Sequence, residues 1–286
     1  MLSNKVREIM TTDVFAVEAT LSIFEVMETM TAKDVGRILI TKNGKAAGIF
    51  TEKDVLKRVM NKNLDSRKTP VAQVMTPRLQ TVSEDTHIVE ALGKMYRGKF
   101  RHLLVRSAKG DIVGLVSMRR ILKLAVELGR GLVDTKTVGS IMSGAPLTVE
   151  TTQSVHEAIE TMVKKDAVCV VVTEHGAPKG IFTERDILRR VAVKNLDAKS
   201  SAVETVMTRD LVTAPESAYV GQVLEEMYKG DFRNMPILGD QKNLVGIVSM
   251  GEVLQFARAF NIDEEVRKTW KEIEDFWKSE EHYTPG

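Results

Sequence analysis

Two short motifs carry the residue types best suited to chemistry in this chain: Thr51 with Asp54, and Thr183 with Asp186, each a hydroxyl followed three positions later by a carboxylate. An ionised aspartate only accepts hydrogen bonds, so it can take both O–H groups of a vicinal diol, and the threonine hydroxyl beside it adds a donor and an acceptor. That combination suits a sugar such as ribose. The same spacing is also a helix-capping signature, in which the threonine oxygen and the carboxylate satisfy free backbone amides. Two equivalent positions help to separate these readings. Ser117 and Ser249 keep the hydroxyl, but Arg120 and Glu252 stand where the aspartates stood. A cap persists at every copy while the acid is selective, which favours diol binding at Asp54 and Asp186 and two working clefts in place of four. Glu252 is longer and suits a weaker site; Arg120 cannot accept from a diol.

Other chemistry is sparse. The histidines, at 87, 102, 156, 175 and 282, lie in no HExxH or paired-carboxylate context, and neither GxSxG nor a P-loop is present. No cluster has metal-ligand spacing. Cys169, the single cysteine, sits in the apolar run VCVVV and reads as a buried strand residue. The chain is therefore expected to be no enzyme and to need neither metal nor cofactor.

The elements that position the Thr-Asp pairs emerge from internal repetition. Glycines recur at Gly48, Gly114, Gly180 and Gly246, and the methionines of REIM, AQVM, GSIM and ETVM fall at Met10, Met75, Met142 and Met207. A shift of 132 aligns GIFTEKDVLKRV (48–59) with GIFTERDILRRV (180–191), and likewise GLVSMRRIL (114–122) with GIVSMGEVL (246–254). Four copies are thus arranged as a duplicated pair. Within a copy the hydrophobic period switches between 2 and 3.6. In the first, VFAV reads as a strand, and Ser22 with Glu25 forms a capping box ahead of the stripe Ile23, Val26, Met27, Met30. Two further strands meet at an Asn43-Gly44 hairpin turn, and a second amphipathic helix begins at Thr51. The expected unit is β-α-β-β-α.

A unit of this size that opens with hxxIM[ST] and closes with GhhTExD resembles the CBS (cystathionine-β-synthase) domain; all four copies share that layout, the second and fourth with Ser117 and Arg120 or Ser249 and Glu252 in place of the Thr and Asp. The resemblance covers residues 4–260 and implies an α/β (α+β) fold of four modules at 4–62, 69–128, 136–194 and 201–260. It further implies two pseudo-twofold Bateman pairs, as in stand-alone archaeal and bacterial CBS proteins and the gamma regulatory subunit of AMP-activated kinase. In that family the Thr and Asp hold the ribose of an adenosyl ligand, which puts Thr51, Asp54, Thr183 and Asp186 in that role for AMP, ADP, ATP or S-adenosylmethionine. Basic residues near the second strand of related domains reach phosphates. Arg101 and Arg233 match that place, with Lys53, Arg185, Arg119 and His102 as further candidates. The family presents backbone edges to adenine just after the IM motif, here at Val14, Phe15, Pro146 and Leu147.

Residues 260–286 carry eight acidic and four Lys/Arg side chains, so the formal charge of +2 divides into a body of about +6 and a tail of about −4. A mild basic bias attracts phosphates. It also motivates a second reading, a nucleic-acid or ribosome-associated factor gated by nucleotide. The remaining partners envisaged are a regulated protein and a second copy of the chain. No apolar run is long enough to cross a bilayer and no basic-then-apolar leader opens the chain, so a cytoplasmic location is expected. In the tail, Ile262, Val266, Trp270, Ile273 and Trp277 form a helical stripe over 261–286 suited to packing on the modules or on a partner.

Overall fold

The computed structural model describes residues 5–98, 100–121 and 136–253. The expected C-terminal helix over 261–286 lies outside them, as do the ends of the second and fourth modules. Each repeat opens with a helical turn (Val6–Ile9, Val71–Gln73, Val138–Ser140 and Val203–Thr205), continues with a short strand and a helix, and closes its sheet with a hairpin. Among the described residues the strands are β1 (Ala16–Glu18), β2 (Arg37–Lys42), β3 (Lys45–Thr51), β4 (Thr81–Ser83), β5 (His102–Arg106), β6 (Ile112–Ser117), β7 (Thr148–Glu150), β8 (Cys169–Glu174), β9 (Ala177–Thr183), β10 (Ala214–Pro215), β11 (Asn234–Leu238) and β12 (Leu244–Ser249). They form four separate three-stranded sheets, one per repeat. In each, the first strand is parallel to the second, with a helix crossing between them, and the second is antiparallel to the third. A bulge recurs at one place in every hairpin, after Ile40, Val105, Val172 and Ile237.

Local sequence explains these elements. Ser22 Oγ accepts from Glu25 N at 3.3 Å while the Glu25 carboxylate accepts from Ser22 N at 2.8 Å, the reciprocal box that starts helix Ile23–Ala32. Ser154 and Glu157 repeat it for Val155–Lys164. The turns Asn43-Gly44 and His175-Gly176 have positive φ at both central residues, the twist a tight hairpin requires. The second helix departs from expectation. After one turn, Glu52–Asp54, it widens into a π-helical stretch, Val55–Met60, matched by Ile187–Ala192.

The repeats do not pack as self-contained units. The segment after each IM motif leaves its own module and bridges the last strand of its neighbour: Thr11 to Leu115, Thr76 to Ile49, Ser143 to Ile247 and Thr208 to Ile181. Glycine permits this exchange. A Cβ on Gly180 would lie 2.6 Å from Met207 Sδ and 2.7 Å from the Thr208 carbonyl oxygen, and Gly114 meets Met10 Sδ at 2.6 Å in the same way. Modules one and two thus interlock, as do three and four. The two pairs join through a continuous core in which Met27, Met30, Leu56 and Val59 of module one meet Ile159, Met162, Leu188 and Val191 of module three. Modules two and four keep separate cores, both touched by Tyr228, whose hydroxyl donates to the Arg119 carbonyl at 2.5 Å. Cys169 is buried and its thiol is pushed up to about 12 by that burial, so it is an inert core residue.

Because the obstruction at Gly180 is backbone as well as a methionine, Gly180→Ala is expected to cost about 1–3 kcal/mol through overpacking. Urea unfolding of the variant, read as a lower midpoint at unchanged slope, checks it; an unchanged midpoint would refute the close approach.

Candidate functional site

Strand β3 ends at Thr51 in extended conformation and the helix begins at Glu52, which brings Asp54 back over the strand end. Its Oδ2 accepts from Thr51 N at 2.9 Å and from Thr51 Oγ1 at 2.7 Å. The capping role weighed from the sequence is therefore real, but it uses one oxygen. The other, Oδ1, faces Thr76 Oγ1 at 3.5 Å and Arg58 at 3.2 Å. Asp186 repeats the arrangement, with Oδ2 accepting from Thr183 at 2.9 and 2.7 Å and Oδ1 facing Thr208 at 3.2 Å and Arg190 at 3.4 Å. Burial raises the Asp54 carboxyl above its usual range, against the opposing pull of Thr51 and Arg58. Glu252 adopts a related pose, accepting from Ser249 N at 2.6 Å and bonding Ser143, whereas at Arg120 only the backbone cap to Ser117 survives, at 3.2 Å.

A cavity of about 320 Å³ opens beside Asp54, between modules one and two. Thr51, Asp54, Arg58 and Thr76 line it, and Ile49, Leu79, Leu104 and Leu115 give it apolar surface. Arg37, Lys53, Arg78, Arg101 and Arg233 add cations to the lining, with His102 among them. The segment exchange decides which residues after an IM motif are present. Leu79 and Gln80, which follow Met75 as Val14 and Phe15 follow Met10, line this cavity. Val14 instead packs between sheets against Leu39, Leu104 and Leu115. Phe15 is largely exposed under Lys33, its carbonyl engaged by Leu39 N at 3.0 Å. Leu147 joins the shared core, its carbonyl engaged by Val171 N, and Pro146 beside it is half-buried. The residues that sequence reasoning missed are thus Thr76, Arg78, Leu79, Gln80 and Arg58. The hydroxyl closing each IM[ST] motif was the available signal, since it is this group that meets the acid of the other module.

The cations divide between the cavity and the junction of the four modules. Glu52 and Glu184, next to the two threonines, are only 2% and 3% exposed. Each is held by an arginine from the opposite pair, Glu52 by Arg233 at 3.0 Å and Glu184 by Arg101 at 3.1 Å. Each keeps one carboxylate oxygen without a hydrogen-bond partner among the described residues, and Arg185 Nε approaches that of Glu52 at 3.7 Å. Arg185 also pairs with Asp231 at 3.0 Å, Arg119 pairs with the same aspartate, and Lys53 reaches Asp166 at 3.2 Å. A larger chamber of about 800 Å³ lies at this junction and shares Arg37, Arg101, His102 and Arg233 with the first cavity. Crowding is evident there. Burial, with Arg233 and Arg101 nearby, lowers Arg37 to about 10, which leaves it charged at neutral pH. His102, against Arg37, is driven well below its usual value by burial and by Arg37, Arg101 and Arg233, and is neutral.

The four copies match the CBS domain model at residues 6–61, 71–127, 138–193 and 203–259. The chain belongs to the CBS-domain family. CBS domain-containing protein CBSCBSPB1 of Arabidopsis thaliana is 29% identical across 94% of the chain and 57% of its own length. Meiotically up-regulated gene 70 protein of Schizosaccharomyces pombe is 27% identical across 80% of the chain and 40% of its own length. The CBS-domain chain thus spans about half the length of the curated relatives it matches. Protein MJ1225 of Methanocaldococcus jannaschii, a proposed archaeal homologue of g-AMPK, superposes with a TM-score of 0.74 at 18% identity, over 88% of this chain and 99% of its own. An uncharacterised conserved protein of Pyrococcus horikoshii gives 0.60 at 18% over the same shares. Both share the four-module fold. Among the described residues no helix is long and apolar enough to cross a membrane, and no group of His, Cys, Asp and Glu could hold a metal ion.

Removing Arg233 leaves Glu52 buried without its main partner, so Arg233→Ala is expected to destabilise by about 3 kcal/mol, and adding Glu52→Gln to recover more than half of that. A double-mutant cycle in urea checks the coupling. His102 gives a pH signature of defined sign. Its folded value lies below the ordinary 6.5, so its contribution is complete above pH 6.5 and is lost as pH falls, because the unfolded chain takes up a proton that the folded chain refuses. His102→Asn, which installs the residue found at Asn234, should flatten that loss by up to about 1.4 kcal/mol per pH unit below pH 6.5. Parallel unfolding curves at pH 7.5, 6 and 5 would reveal it, and identical pH slopes would refute it.

Proposed function

We propose that this CBS-domain protein binds adenine nucleotides, AMP, ADP or ATP or a related adenosyl compound such as S-adenosylmethionine, in the clefts beside Asp54 and Asp186. It acts as a regulator and catalyses no reaction. The single observation carrying this reading is the cavity at Asp54. It is lined by a carboxylate with one oxygen directed away from its cap, by leucines, and by several guanidinium groups. Its volume of about 320 Å³ falls within the ~300–1,000 Å³ typical of small-molecule sites. Asp54 Oδ1 would accept from the ribose diol, the backbone and leucines after Met75 would flank the base, and Arg37, Arg78, Arg101 and Arg233 would meet phosphates.

A route for the signal follows from the same residues. Arg101 and Arg233 line the cavity and also hold the buried carboxylates of the opposite pair. A bound phosphate competes for those guanidinium groups, so occupancy shifts the balance of contacts between the two pairs. A regulated partner would read that shift.

Asp54→Ala and Asp186→Ala are each expected to remove one binding event for adenine nucleotide in isothermal titration calorimetry. Loss of the cap alone should cost about 1 kcal/mol of stability, so both variants remain folded. Asn variants, which keep a capping oxygen, provide the control for binding lost by unfolding. Unaltered nucleotide binding in both Ala variants would sink the ribose assignment. Weak salt dependence favours the cleft; steep salt dependence with no nucleotide selectivity favours RNA.

A further inference from the structure

The two Thr-Asp sites derive from one duplicated unit, and a position-by-position comparison separates what both keep from what one alone has. Both keep the aspartate, the hydroxyl that faces it and an arginine one turn on, as Arg58 or Arg190. The differences that alter charge fall among the basic positions. Arg37 lies opposite Thr51 in the β2–β3 ladder, and Cys169 lies opposite Thr183 in the β8–β9 ladder. His102 lies opposite Ser117, and Asn234 opposite Ser249. Two residues beyond Thr76 stands Arg78, and two beyond Thr208 stands Asp210. Arg37, Arg78 and His102 all line the first cavity. Across these positions the first cleft is three formal charges more positive than the second, since Arg to Cys removes one and Arg to Asp removes two.

We infer that the two sites are specialised: that of the first pair takes an adenosyl ligand carrying several phosphates, and that of the second takes one carrying at most a single phosphate. This rests on the ribose reading above and adds the ligand class of each cleft. Multiple guanidinium groups recognise phosphate oxygens through charge-assisted, often bidentate hydrogen bonds, and a carboxylate at the same place repels them. Arg37 is already crowded by Arg233 and Arg101, so an anion entering there relieves repulsion as well as gaining contacts. Nothing comparable is present at Cys169, a buried thiol with no charge to satisfy. Burial also matters on the second side. Asn234 offers a neutral donor and acceptor where His102 stands among cations, which suits hydroxyl, amide or carboxylate groups on a smaller tail.

The test uses the full chain in magnesium-free buffer, with adenosine, AMP and ATP as probes. Asp186→Ala leaves only the first cleft, and Asp54→Ala leaves only the second. In the first background ATP is expected to bind at least tenfold more tightly than AMP; in the second, AMP or adenosine at least as tightly as ATP. Arg78 and Asp210 are exposed, so exchanging their charges leaves the core untouched. Arg78→Asp in the first background should erase the ATP preference, and Asp210→Arg in the second should raise ATP affinity about tenfold, with melting temperatures unchanged. Equal ATP-to-AMP ratios in the two backgrounds would overturn the specialisation while leaving the ribose assignment intact. If neither aspartate variant loses a binding event, the ribose assignment itself falls, and the division of ligands falls with it.

Discussion

The cleft beside Asp54 exists because one backbone passes unusually close to another. Gly48 and Gly180 let the methionine and the following threonine of the next repeat lie directly on a strand, and the paired bridges between Ile49 and Thr76, and between Ile181 and Thr208, fix that contact from both sides. The threonine hydroxyl is thereby carried to within 3.5 Å or less of the aspartate of another module. Without that approach the acid would face only its own helix. Packing and recognition are consequently one event, and the small side chain at the crossing governs both.

A second constraint acts at the junction of the two pairs. Burying Glu52 and Glu184 is costly unless each is matched, and their partners come from the far pair and not from the neighbouring helix turn. Those same arginines border the first cavity. The apolar contact between modules one and three supplies cohesion, while the charges supply the responsiveness, because an ion pair can be re-partnered by an anion in a way that a methionine contact cannot.

Much of this was legible in the chain. The 132-residue shift announced a duplicated pair, the Ser22 and Glu25 box announced a helix, and Asn43-Gly44 announced a tight hairpin, since each depends on local chemistry. The acid positions were visible too, because Arg120 and Glu252 broke an otherwise regular pattern. What stayed hidden depended on partners distant in sequence. Periodicity says that Leu79 and Val14 occupy equivalent places, but not which cleft each enters, and only the crossing of segments assigns Leu79 to Asp54. The π-helical widening at Val55–Met60 likewise has no signature in a sequence that reads as a regular amphipathic helix.

The exchange of segments has an ancestral corollary. A lone repeat cannot lay its own leading segment across its own final strand, so it would expose both the groove and the methionine meant to fill it. The self-sufficient building block is therefore a couple of repeats, and a late doubling of the couple as a whole accounts for the present chain. The strong 132-residue kinship, set beside a weaker one at 66, is the trace such a history would leave.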